Sequence, residues 1–341
     1  MSNVNSRHLQ PHQPLDLSGR GRLSRRSLLG VAALTPAIGI LLAACGDRNA
    51  DSAGTTPGTT PGTSPGTTPG TTPGTTGATG PITTVPLRIE HPTGADDVVL
   101  RIAYEGGFVP MGVAFVNLPT LLVSGDGRAF TPAPTTMQYP GPLLDPINVR
   151  TISADGIETL LQLAQAAGLL GPIPDYSSPE SMTIADAPNT VVTITTTDAT
   201  YVHSAYALGL GDPTTTAETT PARIALRGFV NAVSALESAA GAGTLGSDAA
   251  FVPSEYRLQA LVYGDESGLA GMDPAPTVVD WPAATGIALA DAATCAQVPA
   301  DVAGTMFGDA TDLTFFRDAG VLYNVSVASV LPGDAHCAPT P

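Results

Sequence analysis

The stretch "INVRTISADGIETLLQLAQAAG" (147–168) carries the element whose neighbours decide the fold. Residues 147–153 lead into a helix with Ser153 as N-cap. Ile157, Leu160, Leu161, Ala164 and Ala167 form its apolar stripe, and Gly168 supplies the C-terminal stop. In a doubly wound sheet, single strands would alternate with such helices. Here the flanking segments read differently. Upstream, "DVVLRIAYEGG" (97–107) is a strand in which Val98, Leu100, Ile102 and Tyr104 alternate with Val99, Arg101 and Ala103. "TLLVSGDGRAFTP" (120–132) is a hairpin closed by Gly125-Asp126-Gly127. Downstream, "NTVVTITTTDATYVHSAYAL" (189–208) is a second hairpin turning near Asp198. Thr220-Pro221 then opens a helix through Ile224, Val230, Val233 and Leu236 to Gly241. Mixed strands and helices without regular β-α alternation specify an α+β fold.

The first unit of this kind spans 86–241, and "GAGTLGSDAAFVP" (241–253) reads as its boundary. A smaller α+β unit over 251–341 follows. "EYRLQALVYG" (255–264) is a strand and Pro299 to Asp309 a short helix. "LTFFRDAGVLYNVSVASVLP" (313–332) is a hairpin turning at Asp318-Ala319-Gly320. At 341 residues the chain has ample length for both cores.

Everything before these units reads as addressing and tethering. Residues 1–27 are polar and contain Arg. Leu28 to Ala44 are apolar, 17 residues against the roughly 20 that a membrane helix needs, so a signal peptide over 1–44 fits better than a span. "SRRSLLG" (24–30) resembles the twin-arginine export motif through Arg25, Arg26, Leu28 and Leu29, with Gly30 in place of the usual basic residue. Leu42, Ala43, Ala44 and Cys45 match a lipobox, which makes Cys45 the lipidation site and the bilayer a partner through its acyl chains. The expected location is the extracytoplasmic face of a bacterial cell membrane. Residues 45–85 then form a Gly/Thr/Pro tether, with the tetrad G-T-[TS]-P repeated five times from Gly54. The repeat over 54–77 holds no apolar side chain to offset the entropy of ordering it, so the segment reads as a disordered linker with a reach of about 30–90 Å. With Cys45 acylated, Cys295 and Cys337 remain as an even pair in an oxidising compartment, the ordinary setting of a disulfide.

Charge excludes one large class of partners. Every basic residue is Arg, and beyond Cys45 nine arginines face 29 acidic residues. Such a surface repels phosphate backbones, so no nucleic acid is expected as a partner. Catalytic motifs are equally scarce. "GAGTLG" (241–246) has the G-x-G-x-x-G spacing but follows a helix and precedes Pro253 and a strand, the reverse of a dinucleotide loop. His203 and Ser204 are neighbours on a strand and point to opposite faces, so they form no dyad. Asp96-Asp97, Asp265-Glu266 and the Asp309/Asp312 pair lack EF-hand spacing. No catalytic residue, metal or cofactor is assigned. Trp281, the only Trp, reads as the cap of a core.

Asp280-Trp281-Pro282, Cys295, Phe315-Phe316 and Leu331-Pro332-Gly333-Asp334 before Cys337 together resemble a group of uncharacterised actinobacterial exported lipoproteins. The likeness extends to the "GDG" hairpin and the "SADGIETLLQLAQAAG" helix. It implies architecture and location, and no activity. The expectation is an envelope lipoprotein that binds another envelope protein or wall material without catalysis. The alternative is a hydrolase whose carboxylate pair meets only in space.

Overall fold

A computed structural model describes residues 88–177, 184–210 and 220–337. Arg25, Arg26, Leu42, Ala43, Ala44, Cys45 and the tether over 45–85 lie outside the described residues. The described chain is α+β, with two sheets. In chain order the first part contains β1 (Val98–Glu105), α1 (Met111–Val116), β2 (Leu121–Ser124), β3 (Arg128–Pro132), β4 (Ile147–Thr151) and α2 (Ala154–Ala166). It continues with β5 (Asn189–Thr195), β6 (Thr200–Tyr206), α3 (Pro221–Ser234), α4 (Leu236–Ala240) and β7 (Ala249–Ala250). Then come β8 (Glu255–Gly264), β9 (Thr277–Asp280), β10 (Ala296–Pro299), α5 (Ala300–Phe307), β11 (Thr314–Asp318) and β12 (Val321–Ser329). Among the described residues no helix is long and apolar enough to cross a membrane.

The first sheet has the order β6-β5-β1-β2-β3-β4-β7, antiparallel throughout. Both expected hairpins are present, and Gly127 closes the first in the left-handed conformation at φ 83°. Strand β1 departs from simple alternation. A register irregularity falls between Val98 and Leu100, and Val99, Leu100, Ile102 and Ala103 are all buried. As an interior strand it is covered on both faces, which erases the in-out pattern that an exposed sheet face would impose. One face packs on α2, α3 and α4 through Leu160, Leu161, Leu226 and Phe229. The other carries Leu122, Phe130 and Ile147 and is covered by Leu331, which follows β12, and by Phe251, edge-on to Phe130 at 5.0 Å. Each such side chain withdrawn from water contributes about 1.5–3 kcal/mol.

Helix α2 forms as its sequence specifies: Ser153 Oγ accepts from the Gly156 N–H at 3.2 Å, and Gly168 turns the chain out at φ 73°. The C-terminal helix read as continuous to Gly241 is instead two pieces, broken at Ala235. Its buried row is Arg223, Leu226, Phe229 and Val233, while Ile224 is exposed. Val233 and Leu236 keep the expected face, and only the first turn departs, because Arg223 finds buried carbonyls to satisfy it and takes the place expected of Ile224. Segment 241–253 also makes contacts of its own. Leu245 bridges to Ile152, Gly246 N–H donates to Thr151 at 2.9 Å, and β7 pairs with β4.

The second sheet runs β10-β8-β12-β11-β9, antiparallel except for the β9–β11 pair. Ala319 and Gly320, both at positive φ, close the β11–β12 hairpin. Trp281 caps this core, edge-on to Phe316 at 5.6 Å, and its indole N–H donates to Ile287 O at 2.7 Å. Cys295, just before β10, and Cys337 in the tail lie at disulfide distance, with Cα atoms 5.4 Å apart.

Candidate functional site

His203 and Ser204 face opposite sides of β6, the histidine buried and the serine exposed. His203 Nε2–H donates to Leu169 O at 2.8 Å, and Nδ1 accepts from Tyr176 Oη at 2.7 Å. This is a neutral imidazole with both nitrogens satisfied. Burial lowers its pKa, against the raising effect of the Leu169 carbonyl, and burial pushes the Tyr176 phenol up to about 12. Beside them Arg223, fully buried, donates to the carbonyls of Tyr176 at 3.0 Å, Tyr206 at 3.1 Å and Ala207 at 3.4 Å. Together they fasten α3 to the β5–β6 hairpin.

Of the acidic residues singled out in the sequence, three are occupied locally. Asp97 accepts from the Gly94 N–H, Asp265 caps the turn at Ser267, and Glu266 pairs with Arg317. Among the described residues no group of three or more His, Cys, Asp or Glu side chains is placed to hold a metal ion.

A different place gathers exposed apolar surface and unspent polar groups: the seam where α1 crosses from the first sheet to the second. Strand β1 ends in Gly106 and Gly107, at φ 76° and 81°, which turn the chain out of the sheet; a Cβ on Gly107 would meet Asp186 O at 3.0 Å. Pro110 then starts α1, and Gly112 lets it lie on β12, since a Cβ there would strike Ser326 Oγ. Not one residue of this helix is buried. Phe108 is 87% exposed and Met111 66%, with Val109 and Val113 close behind. The Asn117 side chain pins the end of the excursion by donating to Tyr104 O.

Cavities flank α1 on both sides. The first, of about 370 Å³, is lined by Arg101, Tyr104, Val109, Val113, Asp186 and Arg257 among others. Arg101 is held by Glu105 at 2.6 Å. Arg257, on β8, lies over the Phe115 ring at 5.3 Å, and its buried Nε has no hydrogen-bond partner among the described residues. A second cavity of about 280 Å³ continues past Tyr104 and Pro188 to Arg227 on α3.

On the far side of α1 lies a cleft of about 340 Å³ containing Asp145 and Asp312. It is assembled from two distant stretches: Leu143 N–H donates to Ala310 O at 2.9 Å and Asp312 N–H to Gly141 O at 3.0 Å. Burial, and then the charge of Asp312, raise the pKa of Asp145. Asp145 nevertheless remains exposed, unlike the enclosed acid of a two-carboxylate hydrolase.

Sequence reasoning passed over Arg101, Tyr104, Arg227 and Arg257. The available signal was the uncharged apolar run 108–116 directly after a diglycine at a strand end. No protein-family model, curated protein or solved structure matches the chain.

Proposed function

We propose that this chain is a lipid-anchored extracytoplasmic module of the bacterial envelope that binds another envelope protein or wall material without catalysis, through the seam around α1. The order of Arg25, Arg26, Leu42, Ala43, Ala44 and Cys45 supports export and acylation, and the tether over 45–85 supplies reach and local concentration. The observation that carries the binding reading is the run of exposed Phe108, Val109, Met111 and Val113 beside two cavities. Contiguous apolar surface of this kind marks an interaction site more often than a solvent face. A photo-cross-linking residue at Phe108 in intact cells should yield a defined adduct, whereas one at exposed Val262, on β8, should not. Absence of an adduct at Phe108 contradicts the reading.

Asp145 beside Asp312 favours the second reading, a hydrolase. Turnover of wall-derived or peptide substrate that disappears in Asp145→Asn would install it in place of the first.

A further inference from the structure

Arginine pairing sets two residues apart. Beyond the tether the chain has few cations and many acids, so an arginine that finds no acid occupies a special place. Arg88, Arg101, Arg128, Arg150 and Arg317 each meet a carboxylate, and Arg223 is held by carbonyls. Among the described residues Arg227 and Arg257 have neither an ion pair nor a hydrogen-bonded side-chain partner. They line the two cavities that meet at Tyr104 and Pro188.

We propose that this groove binds the carboxylates of a short acidic peptide, one against Arg257 and a second against Arg227. The assignment rests on the binding reading above and names its ligand. A planar guanidinium presents paired donors that match a carboxylate, and one left over a Phe ring in a half-buried place is already oriented for it. A phosphate dianion fits less well, because Glu105 and Asp186 line the same cavity and repel the second charge more strongly. The remaining lining suits a peptide between the two anions. Val109, Val113 and Ala114 offer an apolar seat, and Tyr104 marks the junction of the two cavities. Asn117 spends its N–H on Tyr104 O, leaving Oδ1 to accept from a peptide N–H. The combined size of the cavities is that of a short peptide and not of a folded partner.

The test is calorimetric titration of the detergent-solubilised full chain with the capped tripeptide acetyl-Glu-Ala-Glu-amide, with acetyl-Gln-Ala-Gln-amide and with inorganic phosphate. The Glu peptide should bind at least about tenfold more tightly than the Gln peptide, as expected for hydrogen bonds to a charged group. Arg257→Gln should weaken it by about the same factor, and Arg227→Gln, which is exposed, by about threefold with a reduced salt dependence. Arg88→Gln, remote from the groove, should change nothing. Thermal melting confirms that each variant is folded; should Arg257→Gln not fold, Arg227→Gln and the salt dependence decide. Equal affinity for the two peptides, unchanged affinity in folded Arg257→Gln, or displacement of the Glu peptide by equimolar phosphate overturns the assignment. Failure of the peptide with the Phe108 cross-link intact removes this ligand alone. Absence of the Phe108 adduct in the unsubstituted chain removes the underlying reading.

Discussion

Arg223 and Arg257 are the same residue placed in two opposite settings. Arg223 sits at the base of α3, fully buried, with three backbone carbonyls on its guanidinium and the Tyr176–His203 pair beside it. Arg257 sits half-buried at the seam, over Phe115, lining a cavity and with a buried Nε that nothing satisfies. A buried charge whose donors are filled by the chain itself is structural, because replacing it leaves the carbonyls without their donor. A guanidinium that lines a cavity and meets no carboxylate of its own chain leaves its outer donors to a ligand in that cavity. In this chain the most buried arginine is filled by backbone carbonyls, while the half-buried one is where a ligand is proposed.

The largest effect should come from Arg223→Met. It leaves three carbonyls without their donor, at about 1–3 kcal/mol for each one left buried, and should cost about 3–5 kcal/mol in all, read from urea unfolding. A cost below about 1 kcal/mol would break the structural half of the comparison. Next comes the link between the tail and the second sheet. Cys295 and Cys337 are 42 residues apart, and closing that loop contributes about 4 kcal/mol in the chain-entropy model. Reduction should lower the melting temperature sharply, and labelling of the denatured, unreduced chain should find neither thiol free. Two labelled thiols would show that the pair is not bridged.

Tyr176→Phe should cost about 1–3 kcal/mol, since it leaves His203 Nδ1 buried without its donor. The same pair sets a pH dependence. The pKa of His203 is lowered in the folded state, so below the unfolded value of 6.5 the unfolded chain takes up the proton first. Stability should therefore fall as pH drops from 6.5 toward the depressed folded value. His203→Gln should remove that contribution, and an unchanged pH slope in the variant would contradict the buried neutral imidazole. The smallest effect belongs to Asp145. Its pKa is raised in the folded state, so its charge opposes folding at neutral pH, and the penalty is relieved as pH falls through the raised value toward 3.8. Asp145→Asn should stabilise the protein at pH 7 by less than about 1 kcal/mol, solvent screening included, and the difference should vanish in acid. A loss of stability at pH 7 would mean that Asp145 holds a favourable contact instead.

Local rules made much of the fold legible. Ser153 and Gly168 bound α2, Gly125-Asp126-Gly127 closes a hairpin, and Asp318-Ala319-Gly320 turns the last one, because caps and turns act over a few residues. What escaped is set at long range. Ile224 was expected in the row that Arg223 occupies, since the carbonyls of Tyr176, Tyr206 and Ala207 that satisfy the guanidinium come from other elements. The second face of this sheet, at Leu122, Phe130 and Ile147, is covered by Leu331 from the far end of the chain. The seam was least legible of all. Arg101, Arg227 and Arg257 come from β1, α3 and β8, and no spacing in the sequence brings them to one groove. The proposed lipobox, by contrast, rests on a purely sequential signal, and mass spectrometry of the membrane fraction should find Cys45 as an acylated N-terminus.

The central claim, that the chain holds itself together at Arg223 and presents itself at Arg257, is tested most directly by one paired measurement on Arg257→Gln in the full chain. Thermal melting and in-cell cross-linking from Phe108 are read on the same protein. The account predicts a melting temperature within about 2 °C of the parent, as for a side chain that satisfies no buried partner, together with loss of the adduct. A variant that melts many degrees lower, or one that melts as the parent does and keeps its adduct in full, would contradict it.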